Sequence, residues 1–215
     1  MSTSLSTLLT NTRDYLDESS ASRWTDAELT RYVNQGLRQV QSQIQRANED
    51  YFLRVEVATA AAGAVELAFP SDIWGNKLRA FYCYPDSTVA SGTPTKVPVA
   101  SLEAVYDNMI SPSGVPAGYT KHAGFLRWAL PLEKTSAFRF VYAMKEVQFT
   151  ATPQNLGQIA DEHTDCIAIY AAIMARAKVG APSKELSEMY SLRMSQIMDD
   201  VQPTDPIVFS QEKID

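Results

Sequence analysis

The sequence predicts an α+β fold: a four-helix body, made of two N-terminal and two C-terminal helices, with an inserted antiparallel β-sheet and an extended C-terminal tail. Apolar residues recur at helical spacing in residues 1–50 and again in residues 151–200, whereas residues 51–150 contain runs in which apolar and polar positions alternate as in β-strands. Helices that flank a sheet along the chain are typical of this class, and we expect the C-terminal helical pair to pack with residues 1–50. Residues 201–215 form the tail.

Length and composition fit a chain that folds without disulfides. It has 215 residues, of which 45% are hydrophobic and 20% are charged, and both values are ordinary for globular proteins. Cys83 and Cys166 lie far apart in apolar stretches, so we interpret them as buried free thiols in a reducing compartment. No run approaches the roughly 18 apolar residues that span a membrane, and residues 1–9 show no export signal. We therefore expect no membrane partner.

The charge distribution argues against tight binding to nucleic acid. The formal net charge is −6, and residues 161–215 carry most of the excess, with 5 basic against 10 acidic side chains. Affinity for phosphates comes mainly from clustered Lys and Arg side chains, and the sequence contains no such cluster. Any contact with DNA should be weak and independent of base sequence.

Residues 1–50 read as a helical hairpin. Thr25 and Glu28 form a T-x-x-E capping box at the start of the second helix, and Trp24 precedes it where it can pack onto Leu29. Gly36 lies on the apolar face of that helix and indicates a close helix contact. The apolar stripes are Leu5, Leu8, Leu9, Tyr15 and Leu16 in the first helix and Leu29, Tyr32, Val33, Leu37, Val40 and Ile44 in the second.

The middle of the chain predicts a sheet. Residues 51–58 and 65–69 are expected to form a hairpin that turns around Gly63, and the richer apolar run 78–84 is expected to be a central strand. A loop rich in glycine, proline and serine, which interrupt regular structure, is expected after a short helix. The remaining predicted elements are the helix at 101–109, strands at 119–122 and 125–130, and a strand at 138–147 that closes the sheet.

Two helices follow Asp161. Gly180 and Pro182 end the first of them, and Ser183 begins the second. Methionine and tyrosine crowd both helices, and these residue types serve either as core packing or as an adaptable protein interface. The candidate subunit-interface residues are Tyr170, Met174, Met189, Tyr190 and Met194.

The densest group of titratable residues lies at the start of this region. Asp161, Glu162, His163 and Asp165 could in principle bind a metal or act in acid–base chemistry, but acidic residues in a first helical turn also complement the helix dipole, and we favour that interpretation. The chain has only two histidines and lacks a nucleophile elbow, a Walker loop and a G-x-G-x-x-G motif. We therefore predict no catalytic, cofactor or metal site and no enzyme.

Several strings resemble tailed-bacteriophage head-to-tail adaptor (connector) proteins. The similarity covers roughly residues 5–200. The most distinctive string is R-W-T-D-A-E-L at 23–29, which lies between T-R-D-Y-L-D at 12–17 and R-Y-V-N-Q-G at 31–36. Further similar strings are L-A-F-P-S-D at 67–72, P-A-G-Y at 116–119 and E-H-T-D-C-I-A at 162–168.

This resemblance implies a structural virion protein, made in the host cytoplasm, that assembles as a ring of twelve copies. The ring would join the portal at the capsid vertex to a tail or nozzle protein and would continue the channel for double-stranded DNA. In that family the C-terminal segment docks on the portal, which assigns portal docking to Ile207, Val208, Phe209 and Ile214, with Pro203 and Pro206 restricting the backbone before them. The alternative is that these residues form a disordered terminus without a docking role.

Two other functions stay open at this point. A stopper or tail-completion protein would lie one layer further down from the portal, and nothing in the sequence separates it from an adaptor. A wall-degrading hydrolase would belong to a different class, and it could work as a monomer, whereas an adaptor should form high-order rings.

Overall fold

The computed structural model describes residues 3–18, 23–85, 93–100, 115–145, 148–150 and 159–202. The chain divides into two compact units, one made of Met1–Tyr51 with Glu146–Asp215 and the other of Phe52–Lys145. The first unit is helical and the second contains antiparallel sheets, so the predicted α+β class is confirmed. The predicted short helix at 101–109 and the tail from 203 onward lie outside the described residues.

The helical unit is built around its third helix. The other helices all contact α3, and α2 packs against α3 more extensively than against α1. This arrangement follows from the composition of α3, whose apolar residues occur on nearly every side and so require burial all round. The elements are α1 (Leu5–Tyr15), α2 (Asp26–Ala47), a 3₁₀ turn (Asp161–His163), α3 (Asp165–Lys178) and α4 (Lys184–Asp200).

The predicted helix boundaries rest on side-chain caps. Thr25 accepts a hydrogen bond from the backbone N–H of Glu28, whose carboxylate in turn accepts from the N–H of Thr25, so the capping box is confirmed. Ser183 accepts from the N–H of Leu186 at the start of α4. Gly180 has φ +71°, a left-handed conformation that ends α3 at little steric cost because glycine lacks a Cβ.

The sheet unit has two antiparallel sheets. A four-stranded sheet has the order β1-β7-β3-β4, and a three-stranded sheet has the order β2-β6-β5. The predicted strands at 78–84, 119–122 and 125–130 correspond to β3, β5 and β6. The strands are β1 (Leu53–Ala60), β2 (Glu66–Ala68), β3 (Ile73–Tyr84), β4 (Thr95–Lys96), β5 (Thr120–His122), β6 (Phe125–Arg127) and β7 (Ser136–Met144).

The predicted hairpin between β1 and β2 is wrong. β1 pairs with β7 over all eight residues, and β2 pairs with β6 in the other sheet. Gly63 does turn the chain, with φ +84°, but its N–H donates to the oxygen of Leu132 and leads the chain out of the first sheet. The strand predicted to close the sheet instead lies in its interior, between β1 and β3. Alternation identifies a strand but not its partner, which is why both assignments failed.

Aromatic rings form the core between the two sheets. Phe81 and Phe138 stack with ring centroids 5.0 Å apart, and Phe138 also stacks on Trp128 at 5.3 Å. Tyr119 meets Phe81 edge-on at 5.2 Å, and the indole N–H of Trp128 donates to the oxygen of Ala64. These contacts join side chains from β3 and β7 to those beside β5 and β6, so the two sheets share one core.

Both cysteines are buried free thiols, as predicted. Burial raises the pKa of Cys166 to about 12, which keeps the thiol protonated and unreactive near neutral pH. Among the described residues, no helix combines the length and the apolar character that crossing a bilayer requires.

Candidate assembly surfaces

The five predicted subunit-interface residues are all half-buried on α3 and α4. Met189 and Tyr190 pack against a buried cluster of Ile169, Ala172 and Leu186, so part of each side chain serves the interior of the helical unit. The rings of Tyr170 and Tyr190 lie 5.7 Å apart in a tilted arrangement. The remaining exposed parts are open to another subunit, and that role stays a prediction. The set is Tyr170, Met174, Met189, Tyr190 and Met194.

The outward face of α4 is the least covered surface among the described helices. Only Leu186 and Ile197 of its 17 residues are buried. Leu192 is 63% exposed, the largest exposure of any large apolar side chain on the described helices. The sequence analysis missed Leu192 because this residue lies outside the apolar stripe that packs on α3. The only indication of an exposed apolar site was a single leucine among polar neighbours.

The residues of the string R-W-T-D-A-E-L fix the junction between α1 and α2. The guanidinium of Arg13 donates to the carboxylates of Glu18 and Asp26, at 3.3 and 2.6 Å, and to the backbone oxygen of Trp24 at 3.0 Å. Glu18 also accepts from the N–H of Trp24. Trp24 is 5% exposed and fills the space beneath this network. The distinctive string is therefore a structural clasp that sets the angle of the helical hairpin.

Lys178 joins this clasp to the end of α3. Its ammonium lies 2.5 Å from the carboxylate of Glu28 and 5.7 Å from the ring centroid of Trp24. The hydrogen bond from Lys178, together with those from Thr25, lowers the pKa of Glu28 to about 2. A cation at a helix C-terminus and an anion near a helix N-terminus are each in their favoured place.

The acidic group at the start of α3 is tied to its neighbours by hydrogen bonds. Asp165 lies in the first turn of α3, where it suits the helix dipole, and accepts from the hydroxyl of Tyr15 at 2.8 Å. Asp161 lies in the preceding 3₁₀ turn and accepts from Thr3 at 2.7 Å. Arg193 of α4 approaches Asp165 at 3.9 Å. These contacts link α1, α3 and α4.

A cavity of about 330 Å³ opens beside these residues, lined in part by Glu162, His163, Arg193 and Asp200. Within the described ranges, no three His, Cys, Asp or Glu side chains are placed to hold a metal ion together. His163 is 5% exposed, so only a small part of its side chain can be reached from this cavity.

Sequence reasoning also missed an exposed apolar row on β1. Leu53, Val55 and Val57 are 37, 59 and 45% exposed, whereas the alternating pattern was interpreted only as a strand, with no face assigned to solvent. The only feature of the sequence that could have indicated this exposure is that these apolar residues alternate with two residues of opposite charge, Arg54 and Glu56. The predicted portal-docking residues Ile207, Val208, Phe209 and Ile214 lie outside the described residues.

Comparison with known proteins assigns the family. The family model described as SU10 adaptor protein matches residues 3–210, which is nearly the whole chain and includes the clasp, the sheet unit and all four helices. No curated protein matches the chain. The resemblance to phage adaptors in the strings at 12–17, 23–29 and 31–36 is thereby confirmed. The chain belongs to the SU10 adaptor protein family, and its role is that of a structural bacteriophage adaptor.

Proposed function

We propose that twelve copies of this chain form a ring that joins the portal at the capsid vertex to the tail and continues the DNA channel. The observation that carries this proposal is the family match over residues 3–210. Such a subunit is made in the host cytoplasm and is found in the virion, at the head-to-tail interface.

The helical unit supports the proposal because three of its helices are held together by specific side-chain contacts and the fourth, α4, has a large exposed surface. The clasp around Trp24 and the ion pair between Glu28 and Lys178 fix three helices relative to one another. α4 leaves most of its surface uncovered, including Leu192. A neighbouring subunit that packs on α4 would cover Leu192 and the exposed parts of Met189 and Met194. We propose this face as the contact between subunits of the ring.

The charge of the chain supports passage of DNA without binding. Twelve copies at −6 each would carry about −72 charges. A net negative wall repels phosphates, so double-stranded DNA could move through without being held. A ring of this kind would need no base-specific contact.

We propose that the segment after α4 docks on the portal. It starts from a fixed point, because Val201 is 4% exposed and its backbone oxygen accepts a hydrogen bond from the side chain of Asn48 at 3.0 Å. Pro203 and Pro206 lower the entropy lost when the following residues bind. The apolar anchors are Ile207, Val208, Phe209 and Ile214.

Electron microscopy of the purified protein with and without its portal tests the ring. We expect twelve-fold density directly beneath the portal, with the helical unit visible in each subunit. A matched sample carries Leu192→Glu, which places a charge in the proposed subunit contact without touching the core, and we expect it to lose the ring while its melting temperature is unchanged.

Two results would overturn the proposal. Density one layer below an adaptor ring would assign the chain as a stopper or tail-completion protein. A monomer that never joins portal complexes would remove the head-to-tail role altogether. Rings that persist in Leu192→Glu would keep the function and move the subunit contact to another face.

A further inference from the structure

The β1 strand presents a long open edge of the four-stranded sheet. Among the described strands, β7 is its only neighbour, and the pairing runs from Leu53 to Ala60 without a bulge. The opposite edge strand, β4, has two residues. It covers only Tyr82 and Cys83 of β3, and the uncovered part of β3 is interrupted by register shifts. β1 is therefore the one described edge in this sheet that is both long and regular.

The outward backbone groups of β1 belong to known residues. The N–H of Met144 donates to the oxygen of Phe52, its direct partner in the β1–β7 register. In an antiparallel ladder the residues bonded to one neighbour alternate along the strand. Arg54 and Glu56 therefore bond to β7, and the odd-numbered residues direct their N–H and C=O groups to the open edge. These residues are Leu53, Val55, Val57 and Thr59.

β1 lacks most of the features that protect a sheet edge, since it carries no proline, no lysine and no bulge. Its two charged residues, Arg54 and Glu56, lie on the sheet face of Phe140 and Tyr142, and each has a partner within the chain: Arg54 bonds Asp72, and Glu56 accepts a hydrogen bond from the hydroxyl of Tyr142. The residues whose outward backbone groups have no partner among the described strands include the exposed apolar row of Leu53, Val55 and Val57. A long, regular edge with exposed apolar side chains is suited to pairing with another strand.

The sequence of β1 is complementary to itself in the antiparallel direction. When Val55 of one copy faces Val55 of a second copy, Arg54 of each faces Glu56 of the other, and Leu53 of each faces Val57 of the other. Arg54 is half exposed and bonds Asp72 through one guanidinium nitrogen, which leaves further N–H donors for a second carboxylate. Opposite charges and apolar pairs directly across strands both stabilise a sheet.

The backbone agrees with this register. Val55 is an outward-facing residue, so the two copies of Val55 can exchange both of their backbone hydrogen bonds. The Arg54–Glu56 pairs then fall at non-hydrogen-bonded positions, where side chains approach most closely. A shift by one residue would place the outward backbone groups of one copy opposite residues that bond to β7 in the other, so the ladder could not form, and a shift by two would place Arg54 opposite Arg54 or Glu56 opposite Glu56.

We propose that two copies of this chain pair through β1, antiparallel and two-fold symmetric about Val55, so that their four-stranded sheets become one continuous sheet. This inference goes beyond the ring. A two-fold contact uses the same surface on both copies and closes after two, so it is a contact of the protein free of its portal and not the contact that repeats around a twelve-fold ring.

Cysteine cross-linking tests the register. With Val55→Cys, the two cysteines would face each other with Cα atoms about 5.5 Å apart, within the range that a disulfide bridges. Val57→Cys is the matched control, since it lies on the same face of the same strand and its two copies would be about 14 Å apart. The wild type, whose cysteines are both buried, gives the background.

Under mild oxidation of the free protein, we expect Val55→Cys to form a covalent dimer of twice the 23.8 kDa chain mass, at least about tenfold faster than Val57→Cys. A mixture of Leu53→Cys and Val57→Cys should also cross-link, because these residues face each other. Equal rates for Val55→Cys and Val57→Cys would overturn the register and with it the proposed contact.

Charge complementation gives an independent readout. Val55→Lys alone and Val55→Glu alone would each place like charges opposite each other, and sedimentation should show monomers. Mixed in equal amounts, they should recover the dimer, because lysine then faces glutamate. Two variants that stay monomeric when mixed would contradict the proposal, as would a wild type that is monomeric at every concentration. The ring proposal fails on a different result, absence of the chain from portal complexes, so the two failures are distinguishable.

Discussion

Gly36 of α2 lies against the backbone of Ile167 of α3. A Cβ atom at Gly36 would be 2.9 Å from the backbone oxygen of Ile167 and 3.3 Å from the ring of Tyr170. The two helices therefore approach as closely as their backbones allow, and the absence of a side chain makes this approach possible. The close contact predicted from glycine on an apolar stripe is confirmed, and its partner is the third helix.

Replacing Gly36 by leucine should destabilise the helical unit. The new side chain meets a backbone oxygen, which cannot rotate away, and overpacking of this kind costs about 1–3 kcal/mol. The better helix propensity of leucine compared with glycine stabilises the helix by at most about 1 kcal/mol, which does not offset this cost. We expect a lower denaturant midpoint for Gly36→Leu in urea unfolding. Arg38→Leu, at an exposed position of the same helix, is the control and should leave the midpoint nearly unchanged.

The ion pair between Glu28 and Lys178 should make stability depend on pH in a defined range. The folded state holds the pKa of Glu28 at about 2, below its usual value of 4.5, so the folded state binds this proton less readily than the unfolded chain. The stabilising contribution is therefore present above about pH 4.5 and is lost as the pH falls toward 2.

Glu28→Gln removes the charge and keeps a residue that can complete the capping box. We expect the variant to melt lower than the wild type at pH 7 and to converge with it near pH 2. High salt screens the ion pair and should therefore reduce the difference in melting temperature between the variant and the wild type at pH 7. Glu185→Gln, at an exposed glutamate in the first turn of α4, is the control. A constant difference from pH 7 to pH 2 would assign the effect to the cap and not to the ion pair.

Because of the hydrogen bond between Tyr15 and Asp165, Asp165 should contribute more to the free energy of unfolding than Glu162 does. Asp165→Ala removes the acceptor of this bond as well as the charge at the helix start, and we expect a loss of about 1–2 kcal/mol. Glu162→Ala, at an exposed position, should cost less than about 0.5 kcal/mol. Chemical unfolding of both variants measures the difference.

The pKa of Tyr15 gives a second readout of the same contact. Burial, followed by the hydrogen bond to Asp165, raises this pKa to about 12. Ultraviolet titration of tyrosinate should therefore show a late-titrating residue that moves toward 10 in Asp165→Ala. A late component that is unchanged in Asp165→Ala but absent from Tyr15→Phe would show that burial alone sets the value.

Truncation after Val201 should separate folding from docking. The shortened chain keeps the buried Val201 and its hydrogen bond from Asn48, so the melting temperature should be unchanged. We expect association with the portal and the yield of infectious phage to collapse, because the apolar anchors of the tail are lost. A chain that ends after Pro206 is the matched control, since it keeps both prolines and lacks the anchors. Portal binding by the chain that ends after Val201 would place the docking surface on the helices, and binding only by the chain that ends after Pro206 would place it in residues 202–206.

The amino-acid sequence by itself determined where the helices begin and end. Thr25 with Glu28, Ser183 and Gly180 act within one turn of the positions they cap, so their effect depends on neighbours along the chain and not on the tertiary fold. The same locality explains why the family resemblance could be recognised from the string at 23–29. These residues make a clasp between segments that are close in sequence, and such a clasp requires particular residue types at particular spacings.

Strand partners were decided only by the tertiary structure. Residues of β1 lie about 80 positions from their partners in β7, and alternation at 53–60 is equally compatible with a hairpin to β2. The stacking of Phe138 between Phe81 and Trp128 selects the actual arrangement, because burying three large rings together outweighs the shorter loop of a local hairpin. The exposure of Val55 follows from the same choice: its side chain shares a sheet face with Val141, whereas the buried Phe138 and Phe140 lie on the other face, and no local pattern in the sequence distinguishes those two faces.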